Sequence, residues 1–429
     1  MPVSHADIPA APLDLVPLAL KSVSNQKLTL VIGTKGRFDA DLMQDALRLV
    51  LLHYPILGYR LSTHTYWPTW RQMDDTNALT PLVITETPDD PQFAYNFSTC
   101  TRSMQATFLV RILRGPHNDT LTISVDHTIA DVAGTKAVAY TLASCYTQLG
   151  HGLQPELLWR PPAPRNLKEI RAQISSFKKL RAVCGWRAPR GQWQFPVGDT
   201  NQRNNAIYVV RHLGDRSITH LKAYCGRYGA TINDILIAAL FSSLHDLHGC
   251  TPGEKFPVQF TIDLRRYLKP WHQRQAANLS SSTQVWLRKI PANPFGQTLL
   301  ETHLALAEVK RKMPGVGAAI VMEMLFRLGY GRIKRTLETI FNASLNTGMA
   351  NPLFINAGLI DDKRLNFGPT EVVSAHVLGP SLLTPGVAIT ASAFRDQLTL
   401  STGFSKTMTD PDYISKLLDD MTGLLPAPD

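Results

Sequence analysis

Residues 121–134 read LTISVDHTIADVAG, and the interpretation of the whole chain starts from this stretch. Apolar and polar residues alternate from 121 to 126, which is the period of a strand with one buried face. The alternation stops at His127, and from Asp131 the apolar spacing becomes that of a helix reaching to about Gly150. His127 is therefore expected where a strand ends and a turn begins, so that its side chain can point into a cleft.

His127 is a candidate general base, because an imidazole can take a proton from a hydroxyl or an amine near neutral pH. The alternative is an ordinary structural histidine. The carboxylate of Asp131 has two alternative roles: it could orient the imidazole, or it could hold the loop through an arginine. The sequence contains no GxSxG motif, and Cys145 falls on the predicted apolar helix. A base that acts directly on an acceptor is therefore favoured over a covalent enzyme intermediate.

The 429 residues are enough for two domains of ordinary size. Five widely separated cysteines without a CxxC pair argue against a disulfide framework and against a zinc site. Phosphate-loop and dinucleotide motifs are absent too, so no bound cofactor or metal is expected. The sequence shows neither a membrane-spanning apolar tract nor a secretory signal, and a soluble cytoplasmic protein is the expectation.

The net charge is +10, and much of the positive charge lies between positions 168 and 190. The basic residues of this run are Lys168, Arg171, Lys178, Lys179, Arg181, Arg187 and Arg190. No zinc finger, helix-turn-helix or aromatic platform accompanies them, so nucleic acid is not expected as a partner. A solvated linker helix is one interpretation. The other is attraction of an anionic substrate handle, such as a coenzyme A phosphate or an acidic carrier protein.

The spacing of elements predicts an α/β chain in three parts, which are residues 1–160, a crossover at 161–205 and residues 206–429. Proline and glycine residues flank the basic helix of the crossover. In the first part, Asp39 is expected to cap a helix that ends at His53. In the last part, Thr231 or Asn233 caps a helix that is apolar on all sides and therefore deeply buried. The order of strands and helices in the last part resembles that of the first.

Four segments resemble the chloramphenicol acetyltransferase-like superfamily, and together they span most of the chain in the family's order. The segment DHTIADVAG resembles the family's His-x-x-x-Asp motif, with a strand before it and a helix after it. The segments INDILIAAL, TIDLRRYL and LTLSTGFSKTMTD resemble a helix, a strand ending in Asp-x-Arg, and the penultimate strand of the second half. The superfamily includes peptide-synthetase condensation domains, plant BAHD acyltransferases, polyketide-associated acyltransferases and wax ester synthases.

The resemblance implies two similar α/β halves with a tunnel at their interface, and an acyltransferase activity. An acyl thioester, carried by coenzyme A or by an acidic acyl carrier protein, would meet an alcohol or amine acceptor there. His127 would be the general base. Asp131 would point away from the tunnel and pair with an arginine, for which Arg265 is preferred over Arg266. The resemblance also suggests Asn356 as a substrate contact, and a backbone N–H near Gly134 is a candidate oxyanion donor.

Departures from the family pattern narrow the choice among the activities found in the superfamily. Condensation domains carry a second histidine and a glycine where this chain has Asp126 and Val132. Plant BAHD enzymes carry Asp-Phe-Gly-Trp-Gly, and the nearest stretch here is Asn-Phe-Gly-Pro at 366–369, which could be only a turn. A free-standing acyltransferase is therefore expected. The alternatives are a condensation or cyclisation domain that acts on carrier-bound substrates, and a non-catalytic binding module on the same fold.

Overall fold

The computed structural model describes residues 8–63, 66–73, 81–86, 107–155, 165–199, 206–214, 216–251, 253–268, 276–289, 294–383 and 385–427. The first lobe contains helices α1 (Pro12–Leu20), α2 (Ala40–His53) and α3 (Val132–Gly150). Its strands are β1 (Ile8–Pro9), β2 (Ser24–Asn25), β3 (Lys27–Lys35), β4 (Tyr59–Ser62), β5 (Thr69–Gln72), β6 (Leu82–Glu86), β7 (Phe108–Arg114) and β8 (Asp119–Asp126).

The crossover forms helices α4 (Lys168–Gln173) and α5 (Ser176–Gly185) and strand β9 (Trp193–Gln194). The second lobe contains helices α6 (Ile218–Gly226), α7 (Ile232–Leu247), α8 (Phe295–Arg311), α9 (Val316–Phe326), α10 (Tyr330–Thr347) and α11 (Pro411–Leu424). Its strands are β10 (Ala206–Leu213), β11 (Lys255–Asp263), β12 (Ser280–Arg288), β13 (Met349–Ala350), β14 (Leu353–Ile360), β15 (Glu371–Leu378), β16 (Ser381–Leu382), β17 (Ala388–Phe394) and β18 (Gln397–Ser405). No helix among the described residues is long and apolar enough to cross a membrane.

A five-stranded sheet in the order β15-β3-β8-β7-β6 forms the base of the first lobe. The alternating apolar residues of β8 point to the side on which α2 and α3 pack, and they are completely buried there. The predicted cap of α2 is present, because the Asp39 carboxylate accepts a hydrogen bond from Leu42 N at 2.9 Å. The sheet and the layer of helices α2 and α3 thus fix the position of β8, the strand that ends at the His-x-x-x-Asp motif.

The second lobe has an eight-stranded sheet in the order β12-β11-β14-β17-β18-β16-β2, with β10 also paired to β18. Helix α7 belongs to the apolar core of this lobe, and its residues from Asp234 to His245 are all buried, as the apolar pattern predicts. Thr231 caps this helix, since its hydroxyl accepts from Asp234 N at 3.3 Å while the Asp234 carboxylate accepts from Thr231 N at 3.0 Å. Asn233 lies inside the helix and is not the cap.

The two lobes exchange strands. Strand β15 follows the second-lobe strand β14 in the chain but pairs antiparallel with β3 of the first sheet, with His376 opposite Val31. In the other direction, β2 precedes β3 and pairs with β16 of the second sheet. Each sheet therefore ends in a strand from the other part of the chain, and the lobe junction is fixed by backbone hydrogen bonds as well as by side chains.

Candidate active site

The backbone around His127 is held in one conformation by the end of the first sheet. His127 N donates to the Gln26 carbonyl oxygen at 2.7 Å, one residue beyond the last strand pair. The carboxylate of Asp126 then closes a tight turn, because its Oδ1 accepts from Thr128 N at 3.1 Å and from Thr128 Oγ1 at 2.6 Å. The sequence departs from the condensation pattern at Asp126, and in this chain the residue orders the turn that carries the histidine.

The His127 ring lies half-buried at the lobe junction, with Nδ1 at its buried end. Nδ1 makes no hydrogen bond within the described residues, although the carbonyl groups of His127 and Ala130 favour the charged ring. Burial acts in the opposite direction and dominates, so the pKa of His127 is below its usual value despite the nearby Asp131 and Asp126. The lowered pKa favours the neutral imidazole at physiological pH.

Asp131 points away from this ring and into the junction. Its Oδ2 accepts from Arg265 Nη1 at 2.6 Å and from Leu279 N at 2.8 Å, and its Oδ1 accepts from Gly134 N at 2.9 Å. Burial alone would raise the pKa of this carboxyl, but the Arg265 guanidinium and the two N–H groups hold it below its usual value. The arrangement favours the loop-holding role over the imidazole-orienting one.

Arg265 is buried, whereas its neighbour Arg266 is exposed and lies over the Tyr267 ring. A 3-10 turn at Leu264–Tyr267, capped by the Asp263 carboxylate, directs Arg265 inward. Besides Asp131, the Arg265 guanidinium donates to the Ala277 carbonyl at 2.8 Å and to Asp263 Oδ1 at 3.2 Å. The structure thus brings together Asp131 and Arg265, which the sequence paired.

Gly134 lies where a second-lobe segment packs closely against the first turn of α3. Its N–H donates to Asp131 Oδ1 at 2.9 Å as part of the cap of α3. A Cβ at this position would lie 2.8 Å from the Ala130 Cβ and 3.0 Å from the Ala277 carbonyl oxygen. Glycine is needed here because the second-lobe segment approaches the first turn of α3 too closely for a side chain.

Asn356 is exposed, and its side chain is engaged within the second lobe. Its amide nitrogen donates to Asn233 Oδ1 at 3.2 Å, and its Oδ1 accepts from Gly358 N at 2.8 Å across a β-bulge. Lys136, one turn into α3, donates from Nζ to the carbonyl groups of Ala357 at 2.7 Å and Leu359. These contacts tie α3 to strand β14 and give Asn356 a structural role in this conformation.

A second buried ion pair, between Arg165 and Asp14, holds the motif loop in place. Sequence reasoning missed this pair. Arg165 binds Asp14 through two hydrogen bonds of 2.9 and 2.8 Å, and it also donates to the carbonyl groups of Thr128, at 2.8 Å, and of Ile129. Its fifth hydrogen bond goes to the Ala276 carbonyl at 3.1 Å. Asp14 is the single charged residue in the apolar run at positions 12–20. A lone carboxylate in such a run is the sequence signal that could have indicated a buried cationic partner.

A third cluster lies on the other side of the motif turn. The Asp126 Oδ2 contacts Lys21 Nζ at 2.9 Å and Lys27 Nζ at 3.5 Å, and Lys27 is buried. Burial lowers the pKa of Lys27 to about 8, although Asp126 acts to raise it. The lysines together hold the pKa of Asp126 below its usual value, against the effect of its burial.

The described residues contain no group of three or more His, Cys, Asp or Glu side chains that could hold a metal ion. His245 and His248, three residues apart at the end of α7, belong to no such group, and His248 Nε2 forms a hydrogen bond with Tyr413 Oη at 2.7 Å. The site is therefore built from one partly accessible imidazole and three charged clusters that position its loop.

No protein-family model matches the sequence, and no curated protein matches it. Solved structures do resemble it over nearly the whole chain. Polyketide synthase associated protein 5 from Mycobacterium tuberculosis has 14% identity and a TM-score of 0.68, covering 98% of each chain. TRI3 trichothecene 15-O-acetyltransferase from Fusarium sporotrichioides has 13% identity and a TM-score of 0.74, covering 98% of this chain and 96% of its own.

The first condensation domain of the CDA synthetase has 13% identity and a TM-score of 0.68, covering 99% of this chain and 98% of its own. At these identities the comparison establishes the fold. The chain has the two-lobed chloramphenicol acetyltransferase-like fold that condensation domains and related acyltransferases share, as its sequence segments predicted.

Proposed function

We propose that the protein is an acyltransferase that moves an acyl group from a thioester to a hydroxyl or an amine, with His127 as the general base. The observation that carries the proposal is the half-buried, neutral His127 ring at the lobe junction, with Nδ1 enclosed. The motif carboxylate does not compete for the ring, because Asp131 is bound to Arg265. A trichothecene 15-O-acetyltransferase on the same fold supports the choice of acyl transfer.

In the proposed reaction, Nε2 of His127 takes the proton of the acceptor while the acceptor oxygen or nitrogen attacks the thioester carbonyl carbon. The tetrahedral intermediate collapses as the carbon–sulfur bond breaks. The imidazolium returns the proton to the departing thiolate, so that the products are an ester or amide and a free thiol. The thioester comes from coenzyme A or from an acyl carrier protein.

The test is incubation of the protein with a panel of acyl-coenzyme A and acyl-carrier thioesters and candidate alcohols and amines, followed by mass spectrometry. Product should form with the wild-type chain and with His117→Ala, an exposed control histidine, but not with His127→Ala. A chain that binds thioesters without consuming any of them would instead be a binding module. Turnover that needs a carrier-bound acceptor would favour the condensation or cyclisation alternative.

A further inference from the structure

Asp126, the residue directly before His127, uses its two carboxylate oxygens for different contacts. Oδ1 accepts hydrogen bonds from Thr128 N at 3.1 Å and from Thr128 Oγ1 at 2.6 Å. Oδ2 lies 2.9 Å from Lys21 Nζ and 3.5 Å from Lys27 Nζ. The Asp126 side chain is 3% exposed, so these contacts are shielded from water and salt.

The contact with Lys27 closes a ring of interactions beside the histidine. Lys27 lies opposite Asp126 in the register of β3 and β8. The carbonyl oxygen of Gln26, the residue before Lys27, accepts from His127 N at 2.7 Å. The last residue of β8 and the histidine after it are thus bound by two consecutive residues of the neighbouring strand segment. Thr128, on the other side of the histidine, is bound by Asp126 itself.

Asp126 also places negative charge near the imidazole. Its charge and that of Asp131 both favour the protonated ring, whereas burial lowers the pKa of His127. Asp131 is bound by the Arg265 guanidinium at 2.6 Å. Further charged groups near this turn, among the described residues, come from α1, the segment before β3, β3 itself, β7 and the crossover, and they are Asp14, Lys21, Lys27, Arg111 and Arg165.

We propose that Asp126 is a positioning residue for His127, which it directs through the turn that its carboxylate closes at Thr128. The proposal rests on the assignment of His127 as the general base. The charge of Asp126, which Lys27 partly balances, in addition favours proton uptake by the ring. The turn needs an acceptor oxygen and no charge, so substitution can separate the two effects.

Kinetics test the effect of the turn. Asp126→Asn keeps an oxygen that can accept from Thr128 and should retain most of the wild-type kcat at the pH optimum. Asp126→Ala removes the acceptor and should lower kcat by roughly 10–100-fold, because a small displacement of a catalytic group is costly. KM should change little in both variants, since Asp126 is 2% exposed and offers no surface to a substrate.

Titration of the His127 ring by NMR, assigned by its absence in His127→Ala, tests the effect of the charge. Asp126→Asn should lower the pKa of His127 relative to wild type. Lys27→Met, which leaves Lys21 beside Asp126, should raise it, because the two variants remove charges of opposite sign. The acid limb of kcat/KM should move in the same directions. The titration needs no substrate, so failure of the proposed acyl transfer is distinguishable from failure of this proposal.

The matched control is Asp119→Asn, at the other end of β8. This buried carboxylate also accepts from a backbone N–H, that of Phe38 at 2.8 Å, and lies 3.4 Å from Arg114 Nη2. About seven residues of extended strand, roughly 23 Å, separate it from Asp126, so kcat and the titration of His127 should stay as in wild type. A folded Asp126→Ala chain with wild-type kcat would overturn the proposal. A His127 titration that is the same in wild type, Asp126→Asn and Lys27→Met would also overturn it.

Discussion

Burial disfavours the charged form of both His127 and Asp131, but only Asp131 has a strong counter-charge beside it. This difference separates their roles. The imidazole has no strong counter-charge in contact and remains neutral, because burial lowers its pKa. The carboxylate is more deeply buried than the ring, but Arg265 and two N–H groups stabilise its charge. A neutral base and a fixed anion thus stand four residues apart on one turn, with the ring left to face the junction.

The pH dependence of catalysis follows from the lowered pKa of His127. The base must be unprotonated, so kcat/KM should be constant near neutral pH and should fall as the pH drops through the pKa of the ring. Because burial lowers that pKa, the acid limb should lie below pH 6.5, the usual value of a histidine. The measurement is a kcat/KM profile from about pH 4.5 to about pH 8, a range that extends roughly two pH units to either side of the usual histidine pKa. An acid limb above pH 6.5 would contradict the assigned environment.

Asp131 should be required for stability more than for chemistry. Asp131→Ala leaves the Arg265 guanidinium buried without its main counter-charge and should cost about 3–5 kcal/mol in the free energy of unfolding. The measurement is urea denaturation, with Asp45→Ala, which removes an exposed acid on α2, as a near-neutral control. Normal stability of Asp131→Ala combined with lost turnover would show that the carboxylate acts in catalysis instead.

At the scale of elements, the first turn of α3 is one of the places where the lobes touch. Asp131 caps the helix, its second oxygen binds Leu279 of the segment that enters β12, and Asp131 N donates to the Ala277 carbonyl at 3.3 Å. One turn later, Lys136 binds the bulge of β14. The helix is therefore anchored to the second lobe at both of its first two turns, which fixes the direction in which the preceding turn presents His127.

Gly134→Ala should be destabilising although alanine favours helix formation. The added Cβ would approach the Ala277 carbonyl oxygen and nitrogen at 3.0 and 3.2 Å, and backbone atoms cannot rotate away. A cost of about 1–3 kcal/mol is expected. Gly423→Ala is the matched control, because a methyl group on this helical glycine of α11 would meet no heavy atom within 4 Å, and the replacement should stabilise by about 0.5–1 kcal/mol. Equal effects of both changes, measured by thermal unfolding, would contradict the close approach.

At the scale of the whole molecule, the lobes are not independent units. Strand β15 completes the first sheet, β2 extends the second, and Arg165 of the crossover joins Asp14 of α1 to the motif loop and to residue 276. Residues from the beginning, the middle and the end of the chain thus meet around the turn at His127. A substitution that breaks one of these strand pairs or the Arg165 contacts should therefore also alter the position of His127.

A single cooperative unfolding transition is expected for the full chain, because separation of the lobes would expose the edge of β3 and two buried ion pairs. Arg165→Met should shift that whole transition to lower temperature, by about 3–5 kcal/mol in stability, since Asp14 would remain buried without a counter-charge. Calorimetry checks both points. Two resolved transitions, of which Arg165→Met moves just one, would show that the lobes fold independently.

The sequence predicted most elements because their apolar periods are regular, and it predicted the Asp131 and Arg265 pair because the family motifs carried it. Helix α1 was missed, since Pro12 and Pro17 interrupt its pattern, and with it the Asp14 and Arg165 pair went unseen. The placement of β15 in the first sheet could not be read from the chain, because strand pairing between distant segments leaves no local periodicity. The close packing at Gly134 could not be read from the sequence either, because close packing, like substrate binding, selects for glycine.

The central claim is that His127 is the base of an acyl transfer, and one measurement tests it most directly. This is the ratio of kcat for wild type and His127→Ala on the best thioester and acceptor pair, together with their unfolding curves. The ring is half-buried and Nδ1 has no hydrogen bond within the described residues, so its removal should leave stability nearly unchanged. The predicted result is a loss of about 10²–10⁴-fold in kcat at wild-type stability. Retention of wild-type kcat in a folded His127→Ala protein would contradict the account.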